Sequence, residues 1–326
     1  MIMNSSGSAA LTALVADVGG TNARFAIGDL STLQLSSSAR FRCADFHSLQ
    51  AVAEAYLGGM AERPKLAAFA VAAPVASERI QFTNSAWSFE VEELRTALRL
   101  QKLLVLNDFE ALAHALPHLA AAELHQIGGD APAERASRVV LGPGTGLGLA
   151  SLVWSAAGWL AIASEGGHIT FAVQDVREFT IFERLVKERE HLSAERVLSG
   201  PGLVDVYRVL ADLASRPAPA MQPAEVVHRA LSGEDAIARE ALEYFATWLG
   251  RFAGDAALLF AARGGVYLGG GIAPRIASVL ATSGFRGAFE AKGRLASCLT
   301  QIPVYIIMSQ DAGLKGTAAA LAARMA

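Results

Sequence analysis

Three glycine-rich segments, each preceded by an apolar stretch, contain the residues of this chain that are best suited to bind an anion. The segments are Gly19-Gly20, Gly142 to Gly148, and Gly269-Gly270-Gly271. Glycine lets the backbone approach a ligand closely, and successive backbone N–H groups can cradle a phosphate. Asp17 precedes the first segment and could hold a magnesium ion or its waters beside that phosphate. A glycine-rich turn with a surface aspartate is the alternative interpretation.

Asn107 and Asp108 could bind a polyol and act on one of its hydroxyl groups. They follow the apolar stretch Lys102 to Leu106, so they are predicted at the carboxyl end of a strand, where open α/β sheets bind ligands. An aspartate there can orient a hydroxyl and accept its proton, while the asparagine hydrogen-bonds the same polyol. Asp108 could equally be only the cap of the helix predicted to begin at Phe109.

Glu165 and His168 are separated by two glycines, and Glu195 lies further along the chain. A Glu-x-x-His pair on a helix could bind a metal. The glycine pair argues against a helix, however, and the seven histidines form no cluster with ligand spacing, so hydrogen bonding to a polar ligand is favoured. A polar turn is the alternative for Glu165 and His168. A solvated acid or an acid at a helix end is the alternative for Glu195.

The standard nucleotide-binding motifs do not occur in the sequence. There is no Gly-x-x-x-x-Gly-Lys-Ser/Thr run, which excludes a P-loop protein. In the segment that starts at Gly142, Leu147 stands where a dinucleotide fingerprint requires its third glycine. A dehydrogenase is therefore disfavoured.

Composition narrows the function classes further. The chain has 326 residues, of which 52% are apolar and 18% charged, so about two folded domains are expected. The net charge of −3, with no patterned basic run, argues against a nucleic-acid partner. The two cysteines, Cys43 and Cys298, support neither a disulfide scaffold nor a Cys-based zinc site, and they fit a reducing cytosol.

Two segments bear on membrane targeting. Residues 1–10 contain no Lys or Arg, so they lack the basic region of a signal peptide. Gly142 to Ser164 is uncharged and long enough to span a bilayer. Its glycines and serines, together with Pro143 and the break at Ala156-Ala157-Gly158, favour two buried strands joined by a turn. We therefore expect a soluble, cytoplasmic protein without a membrane partner.

Alternating strands and helices are predicted to position the polar residues. The pattern predicts an α/β fold with parallel strand pairing. In the first half we predict buried strands over Lys65 to Ala72 and Lys102 to Leu106, a short strand over Arg79 to Thr83 with Asn84 in the next turn, and helices over His47 to Leu57 and over Ser88 to Leu100 with Ser88 as the cap. In the second half we predict capping boxes at Asp175/Glu178 and Ser232/Asp235, and a final helix from Asp311.

An internal repeat joins the two halves. Leu14 to Ile27 and Val140 to Leu152 share one plan, in which an apolar strand, a glycine-rich turn with a threonine and a second apolar strand follow one another. Two such hairpins, each at the start of an α/β half, predict a duplicated fold with a ligand held in the cleft between the halves. Chance similarity of glycine-rich turns is the alternative.

Together, six motifs resemble the bacterial glucokinases, and they occur in family order across nearly the whole chain. They are Asp17-Val-Gly-Gly-Thr-Asn-Ala-Arg, Asn107-Asp-Phe, Gly144-Thr-Gly-Leu-Gly, Ser164-Glu-Gly-Gly-His, Ser193-Ala-Glu-Arg-Val-Leu-Ser-Gly-Pro-Gly-Leu and Gly269-Gly-Gly-Ile. The resemblance implies the duplicated actin-like (ribonuclease H-like) fold and a cytosolic homodimer. It also implies a small α/β domain of residues 1–117, with the C-terminal helix 310–326 packing back on it, and a large α/β domain of residues 118–309, which close over the sugar and ATP.

The resemblance also implies a role for each matching residue. Asp108 would be the base that takes the proton of the glucose 6-hydroxyl, and Asn107, Glu165, His168 and Glu195 would hydrogen-bond the other hydroxyls. ATP would be bound by a first phosphate loop (Ala16, Asp17, Val18, Gly19, Gly20, Thr21), a second (Gly144, Thr145, Gly146) and an adenosine segment (Gly269, Gly270, Gly271). Mg²⁺ would accompany ATP, near Asp17.

The sequence departs from the family pattern at two places. Pro143 stands where a small residue is common, which should stiffen the second loop without removing its amides. Ser309-Gln310-Asp311 is atypical and receives no role.

The predicted function is thus ATP-dependent phosphorylation of D-glucose to glucose 6-phosphate. A kinase for another hexose or an amino sugar is the nearest alternative. An actin-like ATPase without enzymatic action on sugars is the alternative from a different class.

Overall fold

The computed structural model describes residues 11–75, 77–82, 87–187 and 190–325. They form two compact units: unit 1 takes the described residues of Met1–Leu119 and Ser309–Ala326, and unit 2 those of Ala120–Met308.

Both units combine strands and helices, as the predicted α/β class requires. The strands are β1 (Thr12–Val18), β2 (Asn22–Asp29), β3 (Leu35–Arg42), β4 (Leu66–Val71), β5 (Arg79–Gln81), β6 (Ser88–Glu90), β7 (Lys102–Asn107), β8 (Leu124–Gln126), β9 (Arg138–Pro143), β10 (Leu147–Ser155), β11 (Gly158–Ser164), β12 (Val266–Leu268) and β13 (Val304–Ile307). The helices are α1 (Leu49–Leu57), α2 (Val91–Ala97), α3 (Asp108–Ala115), α4 (Val176–Val186), α5 (Gly200–Leu213), α6 (Pro223–Ser232), α7 (Ala236–Leu259), α8 (Ala277–Thr282), α9 (Phe285–Glu290), α10 (Ala296–Leu299) and α11 (Ala312–Ala323).

Unit 1 is built on a sheet with the strand order β3-β2-β1-β4-β7. β1 pairs antiparallel with β2 and parallel with β4, and β4 pairs parallel with β7. Every residue of β4 is buried, which explains its unbroken apolar sequence. α11 packs on one face of this sheet, and its close contact with α3 depends on Gly316, where a Cβ would lie 1.8 Å from the carbonyl oxygen of Ala111.

Unit 2 is built on a sheet with the strand order β11-β10-β9-β12-β13-β8. β9, β10 and β11 pair antiparallel, whereas β12 pairs parallel with both β9 and β13. The core that covers this sheet includes the long helix α7, whose Phe245 and Trp248 are fully buried. Burying such large aromatic side chains contributes strongly to core stability.

The two glycine-rich hairpins of the predicted repeat are confirmed. β1–β2 and β9–β10 are both antiparallel hairpins, and in each the first strand has a parallel neighbour on its other side, β4 or β12. The uncharged segment Gly142 to Ser164 forms the end of β9, then β10 and β11. In the part of the chain that the structure describes, no helix is sufficiently long and apolar to cross a membrane.

The predicted helix over Ser88 to Leu100 is wrong at its start. Ser88–Glu90 is the strand β6, which pairs antiparallel with β5, and α2 begins only at Val91. Pairing with β5 therefore overrides the capping tendency of a serine. The strand predicted from Arg79 is present as β5, while Thr83 and Asn84 lie outside the described residues.

Neither predicted capping box is complete: in the first only the Asp175 cap is confirmed, and in the second the cap is Asp235 and not Ser232. Asp175 accepts a hydrogen bond from the Glu178 N–H at 2.8 Å, and Asp235 caps α7. Ser232, by contrast, ends α6 and donates to the Arg229 carbonyl. The Glu178 carboxylate accepts from the Gln174 N–H, one residue before the cap.

Candidate active site

The first glycine turn, residues 19–21, is held by backbone bonds and by Cys43. The Gly19 N–H donates to the Asn22 carbonyl at 2.9 Å, and the Cys43 N–H donates to the Thr21 carbonyl at 2.9 Å. The Cys43 thiol lies 3.4 Å from the Gly19 carbonyl that accepts its hydrogen bond, and burial raises the pKa of this thiol. Sequence reasoning gave Cys43 no role, because nothing near it in the chain shows that it reaches the turn.

Asp17 is part of a local network. Its Oδ2 accepts from Arg24 Nη2 at 2.6 Å, and a Cβ at Gly313 of α11 would lie 2.7 Å from the same oxygen. Arg24 also donates through Nη1 to the Gln310 carbonyl. The segment that received no role from sequence, Ser309-Gln310-Asp311, therefore connects α11 to the first turn through Arg24. The carboxylate is only 17% exposed, so the surface-aspartate interpretation is wrong.

Asn107, and not Asp108, caps α3. Asn107 Oδ1 accepts from the N–H groups of Phe109 at 2.9 Å and Glu110 at 3.3 Å, and its Nδ2 donates to the Ala73 carbonyl at 3.3 Å. The interpretation of Asp108 as the cap is therefore wrong. Asp108 is the first residue of the helix, half-buried, and its Oδ1 accepts from the Phe109 N–H at 3.0 Å. A helix N-terminus stabilises a negatively charged carboxylate.

The second and third glycine segments contact each other backbone to backbone. β9 and β12 are parallel neighbours, with Leu141 opposite Leu268, so both strands end at the same edge of the sheet. A Cβ at Gly142 would lie 2.5 Å from the Gly269 carbonyl oxygen, and one at Gly270 would lie 2.6 Å from that of Pro143. Gly270 also has φ +76°. Only glycine allows this approach.

Glu195 lies against the second loop. It belongs to a short 3-10 helix, Ala194–Arg196, and its Oε2 accepts from the Leu147 N–H at 2.9 Å. A Cβ at Gly146 would come within 2.4 Å of this oxygen. The interpretation of Glu195 as a solvated acid is therefore wrong, since the side chain is half-buried and bonded to the loop.

Glu165 and His168 also meet the start of β10. The prediction that Gly166 and Gly167 prevent a helix is wrong, because Gly166–His168 forms one 3-10 turn. A Cβ at Gly167 would lie 2.0 Å from the Leu147 carbonyl oxygen, so this turn packs directly on the strand. His168 Nε2 lies 3.9 Å from Glu165 Oε2, and both side chains are more than half exposed.

A buried ion pair supports this part of unit 2. Arg251 donates to both carboxylate oxygens of Glu178, at 2.7 and 2.9 Å, and also to the Ala172 carbonyl. Burial alone would raise the pKa of Glu178, but the hydrogen bonds from Arg251, Gln174 and Trp248 hold it below its usual value. The pair thereby fixes the segment that follows His168. Sequence reasoning missed Arg251, which lies in the middle of the apolar helix α7.

The predicted site residues thus form two groups. Unit 1 brings Asp17 together with the first turn and places Asn107 and Asp108 at the end of β7. Unit 2 brings the second and third glycine segments together with Glu195 and with the Glu165–His168 turn. Among the described residues, no three or more His, Cys, Asp or Glu side chains are grouped so that they could hold a metal ion.

Comparisons with known proteins identify a family for this chain. The family model described as Glucokinase matches residues 14–324. A glucokinase of Neisseria meningitidis is 43% identical over 309 residues, which cover 94% of each chain. A glucokinase of Chromobacterium violaceum is 45% identical over 318 residues, covering 96% of this chain and 90% of the relative. The crystal structure of a glucokinase from an Antarctic psychrotroph superimposes with a TM-score of 0.85 at 37% identity, covering 95% of this chain and 98% of that one.

Proposed function

Since this chain belongs to the glucokinase family, we propose that it transfers the γ-phosphoryl group of ATP to the 6-hydroxyl of D-glucose, with Asp108 as the general base. Members of the family are hexose kinases, and this chain is one of them. The finer parts of the proposal are the actin-like duplication, the cytosolic homodimer and the residue roles that follow.

The main support for Asp108 as the base is that Asn107, and not Asp108, caps α3. Asn107 caps the helix with its side-chain oxygen, so the helix does not depend on Asp108 for this bond. Asp108 then stands at the carboxyl end of a parallel strand, where a substrate hydroxyl can approach. Phosphoryl transfer requires mainly positioning and charge stabilisation, and one carboxylate that accepts the hydroxyl proton suffices as the base.

The other sugar hydroxyls are assigned to Asn107, Glu165, His168 and Glu195. Asn107 can contribute the second hydrogen of its amide, because only one is needed for the Ala73 carbonyl. Glu165 and His168 are exposed and lie on a turn fixed against Leu147, and Glu195 is bonded to the same residue. Leu147 therefore anchors both the backbone of the Glu165–His168 turn and the Glu195 side chain.

The phosphates are assigned to the first turn and to the loop Gly144–Gly146, and the adenosine to Gly269–Gly271. Ala16 and Val18 are fully buried within β1, so in this proposal they support the first turn and Gly19 to Thr21 contact the phosphate. Asp17 fits the role of the carboxylate beside a magnesium–ATP complex, since such sites use one or two carboxylates together with the phosphates. Bound there, Mg²⁺ would neutralise phosphate charge, and Arg24 holds the Asp17 carboxylate for it.

The experiment that tests the function measures ADP release with Mg-ATP across a panel of hexoses and amino sugars. We expect turnover that depends on glucose and is highest with it. If turnover is faster with another hexose or an amino sugar, that sugar replaces glucose as the proposed substrate. Polymerisation on addition of ATP, without sugar-dependent ADP release, would contradict the kinase assignment and favour an actin-like ATPase.

A further inference from the structure

The segment Ser193 to Gly200 contacts the second glycine loop at two points. Glu195 Oε2 accepts from the Leu147 N–H at 2.9 Å, and the Gly200 N–H donates to the Gly144 carbonyl at 2.8 Å. One contact is made to the backbone of the loop Gly144–Gly146, to which the proposed function assigns phosphate, and the other to the backbone of the residue that follows it. One short segment therefore carries an assigned sugar ligand and also supports an assigned phosphate loop.

Glu195 packs so closely against the loop that no side chain fits at Gly146. A Cβ at Gly146 would lie 2.4 Å from Oε2 and 3.2 Å from the carboxyl carbon of Glu195. The segment around this acid is anchored, since Ala194 and Val197 are fully buried. The backbone of the segment is thus fixed, and the half-buried Glu195 carboxylate is the part that can respond to a ligand.

We propose that Glu195 is a positioning residue that couples glucose binding to ATP binding, by holding the loop Gly144–Leu147 in the conformation that receives the phosphates. This inference rests on the proposed function. A glucose hydroxyl that donates to the carboxylate fixes its orientation, and Oε2 then orders the Leu147 N–H and the loop that precedes it. Each ligand therefore favours the conformation that the other needs, and the coupling acts equally in both directions.

The test measures the affinity of the magnesium complex of AMPPNP by calorimetric titration, with and without saturating glucose. In the wild type we expect glucose to tighten AMPPNP binding by about 5-fold or more, as is typical of coupled sites. In Gly146→Ala the methyl group must displace the carboxylate, so the ratio of the two affinities should fall to near 1.

Gly144→Ala is the matched control, because a methyl group there meets nothing within 4 Å. It should keep the wild-type ratio, whatever it does to AMPPNP affinity itself. Glu195→Gln is the second variant, which preserves side-chain shape but replaces the charge-assisted hydrogen bond by a weaker neutral one. It should give a ratio between those of the wild type and Gly146→Ala, and circular dichroism checks that each variant is folded.

A wild-type ratio in folded Gly146→Ala or Glu195→Gln would overturn the coupling role and leave Glu195 as a sugar ligand only. A ratio of 1 in the wild type, with both ligands bound, would overturn it as well. A calorimetric titration of the wild type with glucose shows directly whether glucose binds. If it does not bind, the proposed function fails together with the coupling.

Discussion

The two glycine hairpins have the same sequence plan but are held in different ways. The β1–β2 turn in unit 1 is held by backbone hydrogen bonds, by the Cys43 thiol and by the Asp17–Arg24 pair. The β9–β10 turn in unit 2 is held by the Glu195 carboxylate and by close backbone packing, with Gly142 against the Gly269 carbonyl and Gly270 against the Pro143 carbonyl. A repeated motif therefore predicts the local conformation but not the contacts that support it, since these come from distant segments.

The largest difference is expected between alanine substitutions at Gly142, near the end of β9, and at Gly19, at the start of the first turn. In Gly142→Ala the new Cβ would lie 2.5 Å from the Gly269 carbonyl, so the two loops must separate. We expect a loss of about 3 kcal/mol in the free energy of unfolding. In Gly19→Ala the nearest atom outside its chain neighbours is 3.6 Å away, and the loss should stay below about 1 kcal/mol. Urea unfolding of both variants measures these losses in the free energy of unfolding. Equal losses would contradict the claim that the two hairpins are held in different ways.

Acid should weaken unit 1 before unit 2. Burial, followed by the charges of Arg324 and His118, lowers the pKa of His114 to about 4. The unfolded chain binds a proton at this histidine near pH 6.5, so stability falls as the pH drops from about 6.5 to about 4, by up to about 3 kcal/mol. Glu178 in unit 2 has a lowered pKa, so its contribution is lost only below about pH 4.5. Denaturant unfolding between pH 7 and 4.5 should show a smaller loss for His114→Gln than for the wild type. Identical pH profiles of stability in His114→Gln and the wild type would show that His114 does not cause the loss of stability in acid.

The third prediction concerns the ion pair beside the first turn. Arg24→Met leaves the mostly buried Asp17 carboxylate without its guanidinium partner and removes the bond to the Gln310 carbonyl. We expect a loss of about 2 kcal/mol. Arg40→Met on the neighbouring strand is the matched control, because Arg40 lies opposite Arg24 and its hydrogen bond to the Asn22 side chain is exposed to solvent. Its loss should be below about 0.5 kcal/mol. A loss for Arg24→Met no larger than that of the control would show that the pair does not support the turn.

The smallest effect is expected at Cys43. Cys43→Ala removes the thiol that donates to the Gly19 carbonyl, at a cost of about 1 kcal/mol. If the first turn binds phosphate, the KM for ATP should rise severalfold while kcat changes little. Cys298→Ala, at an exposed cysteine, serves as the control and should change neither quantity. An unchanged KM for ATP in Cys43→Ala would show that the first turn does not take part in ATP binding.

Much of the local structure could be predicted from the sequence, because it depends on patterns that lie close together in the chain. The β1–β2 and β9–β10 hairpins follow from apolar runs around glycines, and the buried strand β4 follows from one unbroken run. The start of α2 could not be predicted, because the pairing of β6 with β5 decides it. The glycine pair before His168 was misjudged for a similar reason, since packing against Leu147 compensates for its low helix propensity.

Predictability was lower for the candidate site, where distant segments meet. The motifs identify Asp17, Asn107, Asp108 and Glu195, but nothing near these residues in the chain indicates their partners. Arg24 extends to a carbonyl near the C-terminus, and Glu195 extends back to the amide of Leu147. Such contacts depend on how the strands are ordered in each sheet, which the local pattern leaves open.

The measurement that tests the central claim most directly compares Asp108→Asn with Glu110→Gln, two carboxylates in the first turn of the same helix. For Asp108→Asn we predict that kcat for glucose-dependent ADP release falls by about 10²- to 10⁴-fold, while the affinity for glucose changes by less than about tenfold, because the amide can bind the hydroxyl but cannot accept its proton. For Glu110→Gln, whose carboxylate instead lies 3.6 Å from Arg324, kcat should stay close to the wild-type value. If Asp108→Asn keeps kcat within about tenfold of the wild type, Asp108 is not the base.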